Sequence, residues 1–182
     1  MKISHNSKAA LLAFLSVAKA AMYEAPVKIK TGHVQGYAAL NGSTSSNFTN
    51  WKDITVWKGI PYAASTAGNN RWKAPQPPAD INGTFLASSF GDECPQASLS
   101  LKRKRDTSAS YTGSEDCLSV NIWSPATSAN ESLPVAVWSY GAGTTSSDDM
   151  YTGAGVANKG IVFVTYNYRH VIIRLRTRPQ AC

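Results

Sequence analysis

The sequence predicts an α/β fold, and three segments in its C-terminal half carry that prediction. Residues 134–140 and 161–166 are nearly continuous apolar runs, as in central strands covered on both faces. Between them, residues 146–150 offer hydroxyl and carboxylate groups where a helix begins, and Gly160 is suited to end it. A strand, a helix and a second strand in this order form a βαβ unit, which is typical of the α/β class.

Shorter strands are predicted upstream of this unit. Residues 26–30 read as a strand, and residues 32–37 as its hairpin partner. Residues 54–57 form another apolar run, and residues 118–123 alternate with the period of two that marks a half-buried strand. The segment 64–84 is rich in Gly, Pro and Asn, so we expect it to be irregular.

The first twenty residues resemble a secretory signal. Lys2 and Lys8 precede an apolar run of about ten residues, and a small-x-small pattern ends at Ala20. A membrane-spanning helix needs about 20 apolar residues, so this run is too short to span. We expect a signal peptide over residues 1–20 and a secreted product without a membrane span; an amphipathic surface helix is the alternative.

The basic composition raises the question of nucleic-acid binding. The 182 residues carry a net charge of +7, with 43% hydrophobic and 16% charged residues, which excludes a charge-rich disordered chain. Removing the three lysines of residues 1–20 leaves +4, setting aside the basic run 102–105 leaves 0, and setting aside the three arginines of residues 170–182 leaves −3. The charge therefore does not describe one binding face, and no nucleic-acid partner is predicted. The run 102–105 is either a solvated loop or a dibasic processing site.

Secretion changes how cysteine and asparagine residues are interpreted. In an oxidising compartment Cys94 and Cys117 are disulfide candidates, with Cys182 left over, although the sequence alone does not fix the pairing. Four Asn-x-Ser/Thr sequons become candidate glycan acceptors in surface loops. They are at Asn41, Asn47, Asn82 and Asn130.

Four blocks in order resemble the type-B carboxylesterase/lipase family, which includes the cholinesterases and has the α/β-hydrolase fold. The most specific is Glu-Asp-Cys-Leu at residues 115–118, which continues to residue 125. The others are residues 57–77, 133–143 and 162–169. The resemblance covers roughly residues 26–169. It implies the N-terminal portion of an α/β-hydrolase fold with a mixed, incomplete sheet over residues 21–169, and a non-family tail over residues 170–182, expected from a truncated or mis-spliced gene.

The resemblance also implies roles for individual residues. Cys94 and Cys117 match the family's first disulfide, which closes a loop at the rim of the active-site gorge. Arg71 and Glu115 match a buried structural ion pair, whose charges would be stranded if either partner were lost. Residues 95–116 contain no Trp, and the family's choline-binding Trp lies in this loop, so a choline substrate is not predicted.

The Gly-rich turn after residue 140 carries the chemistry that the resemblance implies. Backbone N–H groups of Ala142 and Gly143 match the donors that stabilise the oxyanion of ester hydrolysis, with Gly141 in the same turn. Glycine allows close approach and positive φ in such a turn, whereas Ala142 departs from the family pattern and must avoid positive φ. Thr144 stands where the family commonly has an aromatic residue. A tight turn without catalysis is the alternative.

The remaining catalytic groups are not found in this sequence. An α/β hydrolase needs a nucleophile on Gly-x-Ser-x-Gly, then an acid and a His, and no Gly-x-Ser-x-Gly occurs in residues 1–182. We therefore expect the parent protein to hydrolyse small-molecule carboxylic esters without a cofactor or metal, and this chain alone to be inactive. A non-catalytic cholinesterase-like binding or adhesion module is the alternative function.

Overall fold

The structure is a computed structural model that describes residues 21–39, 52–97, 111–141, 144–148 and 152–169. Its centre is a five-stranded mixed sheet. The strands of this sheet are β3 (Tyr37–Ala38), β4 (Thr55–Pro61), β8 (Ser119–Ser124), β9 (Val135–Trp138) and β10 (Val162–Tyr166). Their spatial order in the sheet is β3-β4-β8-β10-β9. The fold class is confirmed as α/β, because β9 and β10 pair in parallel across a helix.

Two smaller strand groups flank this sheet. The sheet β1-β2-β5 contains the predicted hairpin, with Val27 opposite Val34, and β5 joins it in parallel directly after the segment expected to be irregular, sharing only Thr84 with it. A two-stranded pair, β6 with β7, precedes β8. The strands are β1 (Val27–Ile29), β2 (Gly32–Gln35), β5 (Thr84–Leu86), β6 (Gln96–Ala97) and β7 (Tyr111–Thr112). Two short 3-10 helices are Met22–Glu24 and Gly68–Asn70.

The helix of the βαβ unit begins later than the sequence predicted. Helix α1 is Ala154–Ala157, not a helix starting near Ser146. Ser146 is instead buried among hydrogen-bonding partners in the loop that precedes it. Gly160 follows α1 with φ +89, the left-handed conformation that suits a residue ending a helix.

Both sides of the central sheet contribute to the core. On one side, Trp57 and Ile60 pack with Val34 and Ala87. On the other, Trp123 packs with Ile54, Val56 and Ala157. The close approach of α1 to the sheet depends on Gly153, because a Cβ added there would lie 2.4 Å from the Phe163 ring and 2.7 Å from the Trp123 ring.

The order of the last two strands corrects a second expectation. Within the described residues, β10 has partners on both sides, antiparallel to β8 and parallel to β9. The run expected to form a covered central strand is β9, which lies at the sheet edge with Val135 62% and Val137 61% exposed. The crossover places β10 between β8 and β9. Apolar composition cannot reveal this, because it reports how apolar a strand is and not which neighbours it has.

Candidate functional site

The turn singled out from the sequence follows β9 at its carboxyl end. Its closing contact is a hydrogen bond of 2.9 Å from the Thr144 hydroxyl to the Gly141 carbonyl. Ala142 and Gly143 lie outside the described residues. Gly141 itself does not have positive φ, and an added Cβ would meet no atom within 4 Å, so the steric argument for glycine does not apply at this position.

Tyr140 anchors the start of this turn. Its side chain is buried, and its ring lies 4.7 Å from that of Tyr168, centroid to centroid. The Tyr168 hydroxyl donates to the Tyr140 carbonyl at 2.5 Å, and the Tyr140 hydroxyl donates to the Asn167 side-chain oxygen at 3.4 Å. Burial raises the pKa of Tyr140 to about 12, so its hydroxyl stays protonated and able to donate even above the ordinary tyrosine pKa of about 10.

Asn167 connects the end of β10 to the same region, and its role was missed in the sequence. Its side-chain amide donates to the Asp92 carbonyl at 2.9 Å, and its side-chain oxygen accepts from the Ser146 N–H at 3.4 Å. Its own carbonyl accepts from the Tyr62 hydroxyl at 2.5 Å. The sequence did contain one signal for Asn167. It is a polar residue directly after an apolar strand, and it lies beside the turn that follows the neighbouring parallel strand.

A second buried amide, Asn121, ties the sheet to the loop after the turn. Its side-chain nitrogen donates to the Thr165 hydroxyl at 3.0 Å and the Ser146 hydroxyl at 3.3 Å. Its side-chain oxygen accepts from the Gly59 N–H at 2.8 Å, where the register between β4 and β8 shifts and Gly59 has φ +69. The bulge thus leaves a backbone donor that Asn121 satisfies.

The two cysteines are joined next to this network. Cys94 and Cys117 form a disulfide and are 1% and 2% exposed. The bond joins positions 23 residues apart and encloses β6 and β7. The basic run 102–105 lies in this segment but outside the described residues.

Side chains flanking Cys94 contact the turn directly. The Gln96 amide donates to the Thr144 carbonyl at 2.9 Å. The Glu93 carboxylate accepts from the hydroxyls of Thr145 and Ser147 at 3.2 and 3.3 Å. Polar side chains on both sides of Cys94 therefore contact residues 144–147: Gln96 from within the disulfide-closed segment and Glu93 from just before it.

The ion pair expected from the sequence is formed but is not buried. The guanidinium of Arg71 lies 2.6 Å from the Glu115 carboxylate, while the two side chains are 47% and 22% exposed. The hydrogen bond to Glu115 raises the pKa of Arg71, which is already charged at any accessible pH. The family resemblance implied the pairing correctly, but the burial that it implied is wrong, and water screens the attraction at this exposure.

The structure describes some of the other predicted features and not others. Asn82 and Asn130 are exposed in a bend and a turn. Asn41 and Asn47, the segment 1–20 and the segment 170–182 lie outside the described residues. Among the residues that the structure describes, no helix is long and apolar enough to cross a membrane, and no cluster of His, Cys, Asp or Glu could hold a metal ion.

Comparison with known proteins places the chain in a family. Residues 24–173 match the family model of the carboxylesterase family. The chain is 38% identical over 130 residues to fumonisin B1 esterase of Sphingopyxis macrogoltabida, covering 70% of the chain and 23% of that protein. It is also 38% identical over 141 residues to para-nitrobenzyl esterase of Bacillus subtilis, covering 73% of the chain and 26% of that protein.

The structural comparison agrees with the sequence comparison. The crystal structure of the Geobacillus stearothermophilus carboxylesterase EST55 superposes with a TM-score of 0.62 at 32% identity, over 80% of this chain and 27% of that one. The chain thus spans about a quarter of the length of these relatives. The family match over most of the chain and the shared fold lead to one conclusion: this chain belongs to the carboxylesterase family.

Proposed function

We propose that this chain supplies the oxyanion-binding turn of a carboxylic ester hydrolase. The observation that carries the proposal is the position of Gly141, directly after the buried Tyr140 at the carboxyl end of β9, within a chain of the carboxylesterase family. The N–H groups of Ala142 and Gly143 are the proposed donors. Ala142 keeps an N–H, so its departure from glycine does not remove a donor.

The chemistry requires a fixed donor at the moment when charge develops. Attack on an ester carbonyl places negative charge on its oxygen, and prepositioned N–H groups stabilise that charge without reorganising. Tyr140 and Asn167 support the proposal, because both hold the segment beside the turn through buried contacts. The Ser nucleophile, the acid and the His are proposed to lie outside residues 1–182, since no Gly-x-Ser-x-Gly occurs within them.

The substrate class follows from the family and stays general. Fumonisin B1 esterase and para-nitrobenzyl esterase are esterases by name, and we propose a small-molecule carboxylic ester for the protein of which this chain is part. The absence of Trp in residues 95–116 argues against a choline ester.

Secretion and glycosylation form part of the same proposal. They are supported by the signal-like residues 1–20, by the disulfide, and by the exposure of Asn82 and Asn130 within their sequons. Expression in a eukaryotic secretory host should give a product that begins at Ala21 and loses mass on glycan removal. A product retained in cells at full length would contradict this part.

The donor role is tested in a chimera, because residues 1–182 lack the nucleophile motif. Residues 21–169 are joined to the part of Bacillus subtilis para-nitrobenzyl esterase that follows its matched region. We expect the chimera to hydrolyse p-nitrophenyl acetate and the 182-residue chain alone to give no turnover above buffer. Ala142→Pro removes one N–H and should lower kcat by about 10²–10³-fold.

The control for this experiment is a proline in another loop. Ala79 is exposed and follows two prolines, so Ala79→Pro introduces the same side chain away from the turn. If Ala142→Pro lowers kcat no more than Ala79→Pro, the N–H of residue 142 is not a donor. If the chimera folds but does not turn over any ester, a non-catalytic binding role gains support.

A further inference from the structure

Gln96 occupies an unusual place between the disulfide and the proposed oxyanion turn. Its side-chain amide reaches across 48 residues of sequence to donate to the Thr144 carbonyl at 2.9 Å, in a part-buried position. The Thr144 hydroxyl in turn donates to the Gly141 carbonyl at 2.9 Å. These two hydrogen bonds run in series from Gln96 to the first residue of the turn.

The backbone that carries Gln96 is itself fixed. Cys94, two residues earlier, is buried and covalently bonded to Cys117. The Glu93 carbonyl accepts from the Ser114 N–H at 2.8 Å, and Gln96 pairs with Thr112 in the two-stranded β6–β7 ladder. The backbone of residue 96 therefore has a fixed position. The Gln96 side-chain amide reaches the turn without any rearrangement of that backbone.

The hydrogen bond from Gln96 to Thr144 differs in kind from the neighbouring contacts of Glu93. Glu93 also touches this loop, but its carboxylate accepts hydrogen bonds from exposed hydroxyls, which water can replace. Gln96 is a neutral donor that reaches the Thr144 carbonyl from a distant part of the chain. A neutral amide can donate in a part-buried site without the desolvation cost of a charge.

We propose that Gln96 is a positioning residue that holds Thr144, and through it Gly141, in place and couples them to the Cys94–Cys117 disulfide. The catalytic meaning of this role rests on the proposed function, because the turn matters for chemistry only if its N–H groups bind an oxyanion. The tether itself is a property of the resting chain. Gln96 acts through Thr144 and Gly141 and does not touch the substrate.

The test reads the hydrogen bond at its acceptor. In the full 182-residue chain, the carbonyl ¹³C shift of Thr144 is measured by NMR in the parent chain and in Gln96→Ala. We expect that shift to move in the direction of a lost hydrogen bond, because Gln96→Ala removes the side-chain donor to the Thr144 carbonyl. Backbone pairing of residue 96 does not need its side chain, so the variant keeps the fold.

Gln76→Ala is the matched control. The Gln76 amide also donates to a backbone carbonyl, that of Ala74 at 3.1 Å, but the contact is local and exposed. This variant should leave the Thr144 shift unchanged. If Gln96→Ala moves the Thr144 shift no more than Gln76→Ala does, the tether is refuted.

Two further measurements separate positioning from a general loss of structure. In Gln96→Glu the introduced carboxyl donates only when protonated, so the parental Thr144 shift should return below about pH 4 and be lost at about pH 7, following a glutamate pKa of about 4.3. Reduction of the disulfide should move the Thr144 shift in the same direction as Gln96→Ala. If the Thr144 shift changes neither with protonation of the introduced carboxyl nor with reduction of the disulfide, the proposal is overturned.

These readouts need no ester turnover. A failed tether would therefore leave the chimera experiment standing as the test of the oxyanion turn. Conversely, an inactive chimera would not alter the measured coupling between Gln96 and Thr144.

Discussion

Among the polar contacts that join distant segments of this chain, those of Asn121 and of Arg71 with Glu115 differ most clearly in depth and in charge. Asn121 is 1% exposed and connects three segments through its uncharged amide, at Gly59, Ser146 and Thr165. Arg71 and Glu115 connect two segments through opposite charges, and Arg71 is 47% exposed. The interior of the sheet is thus linked by a neutral group, which is cheaper to bury than a charge, whereas the ion pair stands where water already solvates both partners.

The largest effect of this difference is expected at Asn121. Asn121→Leu keeps the approximate volume but leaves the Gly59 N–H without its acceptor and removes a donor to two buried hydroxyls. We expect the free energy of unfolding to fall by about 2–4 kcal/mol, measured by urea titration. Asn158→Leu is the control, because the Asn158 side-chain oxygen accepts from the Lys52 N–H in an exposed contact. Equal losses in both variants would contradict the comparison.

Tyr140 gives a smaller effect that depends on pH. Burial raises the pKa of its hydroxyl from 10.0 to about 12. As the pH rises, the unfolded chain therefore loses this proton at a lower pH than the folded chain does. The contribution of Tyr140 to the free energy of unfolding changes between these two pKa values. Because the deprotonated form is disfavoured in the folded state, stability falls as the pH rises from about 10 toward about 12.

This pH dependence is measured on the parent chain and on Tyr140→Phe. Unfolding free energies at about pH 8, 10 and 11 should fall less steeply in the variant, because it lacks the ionising group. Tyr62, whose pKa burial also raises, remains in both proteins, and its charge contributes to the raised pKa of Tyr140. Parallel curves for the two proteins would show that Tyr140 does not carry the dependence.

The sequence could predict the strands of this fold because their signal is local. Alternation indicated β8, and the short runs 26–30 and 32–37 indicated the hairpin that β1 and β2 form. Strand order is not local. The exposed β9 and the doubly paired β10 have equally apolar sequences, so only the crossover geometry distinguishes an edge from a centre.

The site was predictable only where residue type or the family resemblance pointed to it. Residue type made the cysteines disulfide candidates, and the resemblance implied both the Cys94–Cys117 bond and the Arg71–Glu115 pair, which are formed. Asn121 and Asn167 were not singled out in the sequence, because an asparagine gives no local sign of whether its amide is solvated or buried. Their importance comes from partners between 21 and 75 residues away in the sequence, which no spacing rule identifies.

The predicted helix start was wrong for a related reason. Ser146 has the side chain of a helix cap, but it is buried against Asn121 and accepts a hydrogen bond from that amide. Hydroxyl residues serve equally well in caps and in buried networks, and tertiary partners decided the outcome here. The helix then begins only at Ala154, beyond Gly153, where the chain passes close to two aromatic rings.

The smallest effect is expected at the exposed ion pair. Arg71→Gln removes the charge but keeps a side-chain donor, and Glu115 remains accessible to water. We expect the urea midpoint to stay nearly unchanged at both low and high salt, because solvent screens the attraction and the long side chain regains freedom when it is released. Arg169→Gln is the control, since Arg169 also makes an exposed contact, with the Lys73 carbonyl.

The salt dependence is what makes this experiment decisive. If the pair held the fold as a buried charge pair does, removing one partner would leave Glu115 uncompensated, and salt could not relieve a charge shielded from water. A loss as large as that of Asn121→Leu, equal at low and high salt, would therefore mean that the pair is desolvated. An unchanged midpoint would mean that this exposed ion pair adds little to the free energy of unfolding, in contrast to the buried hydrogen bonds of Asn121.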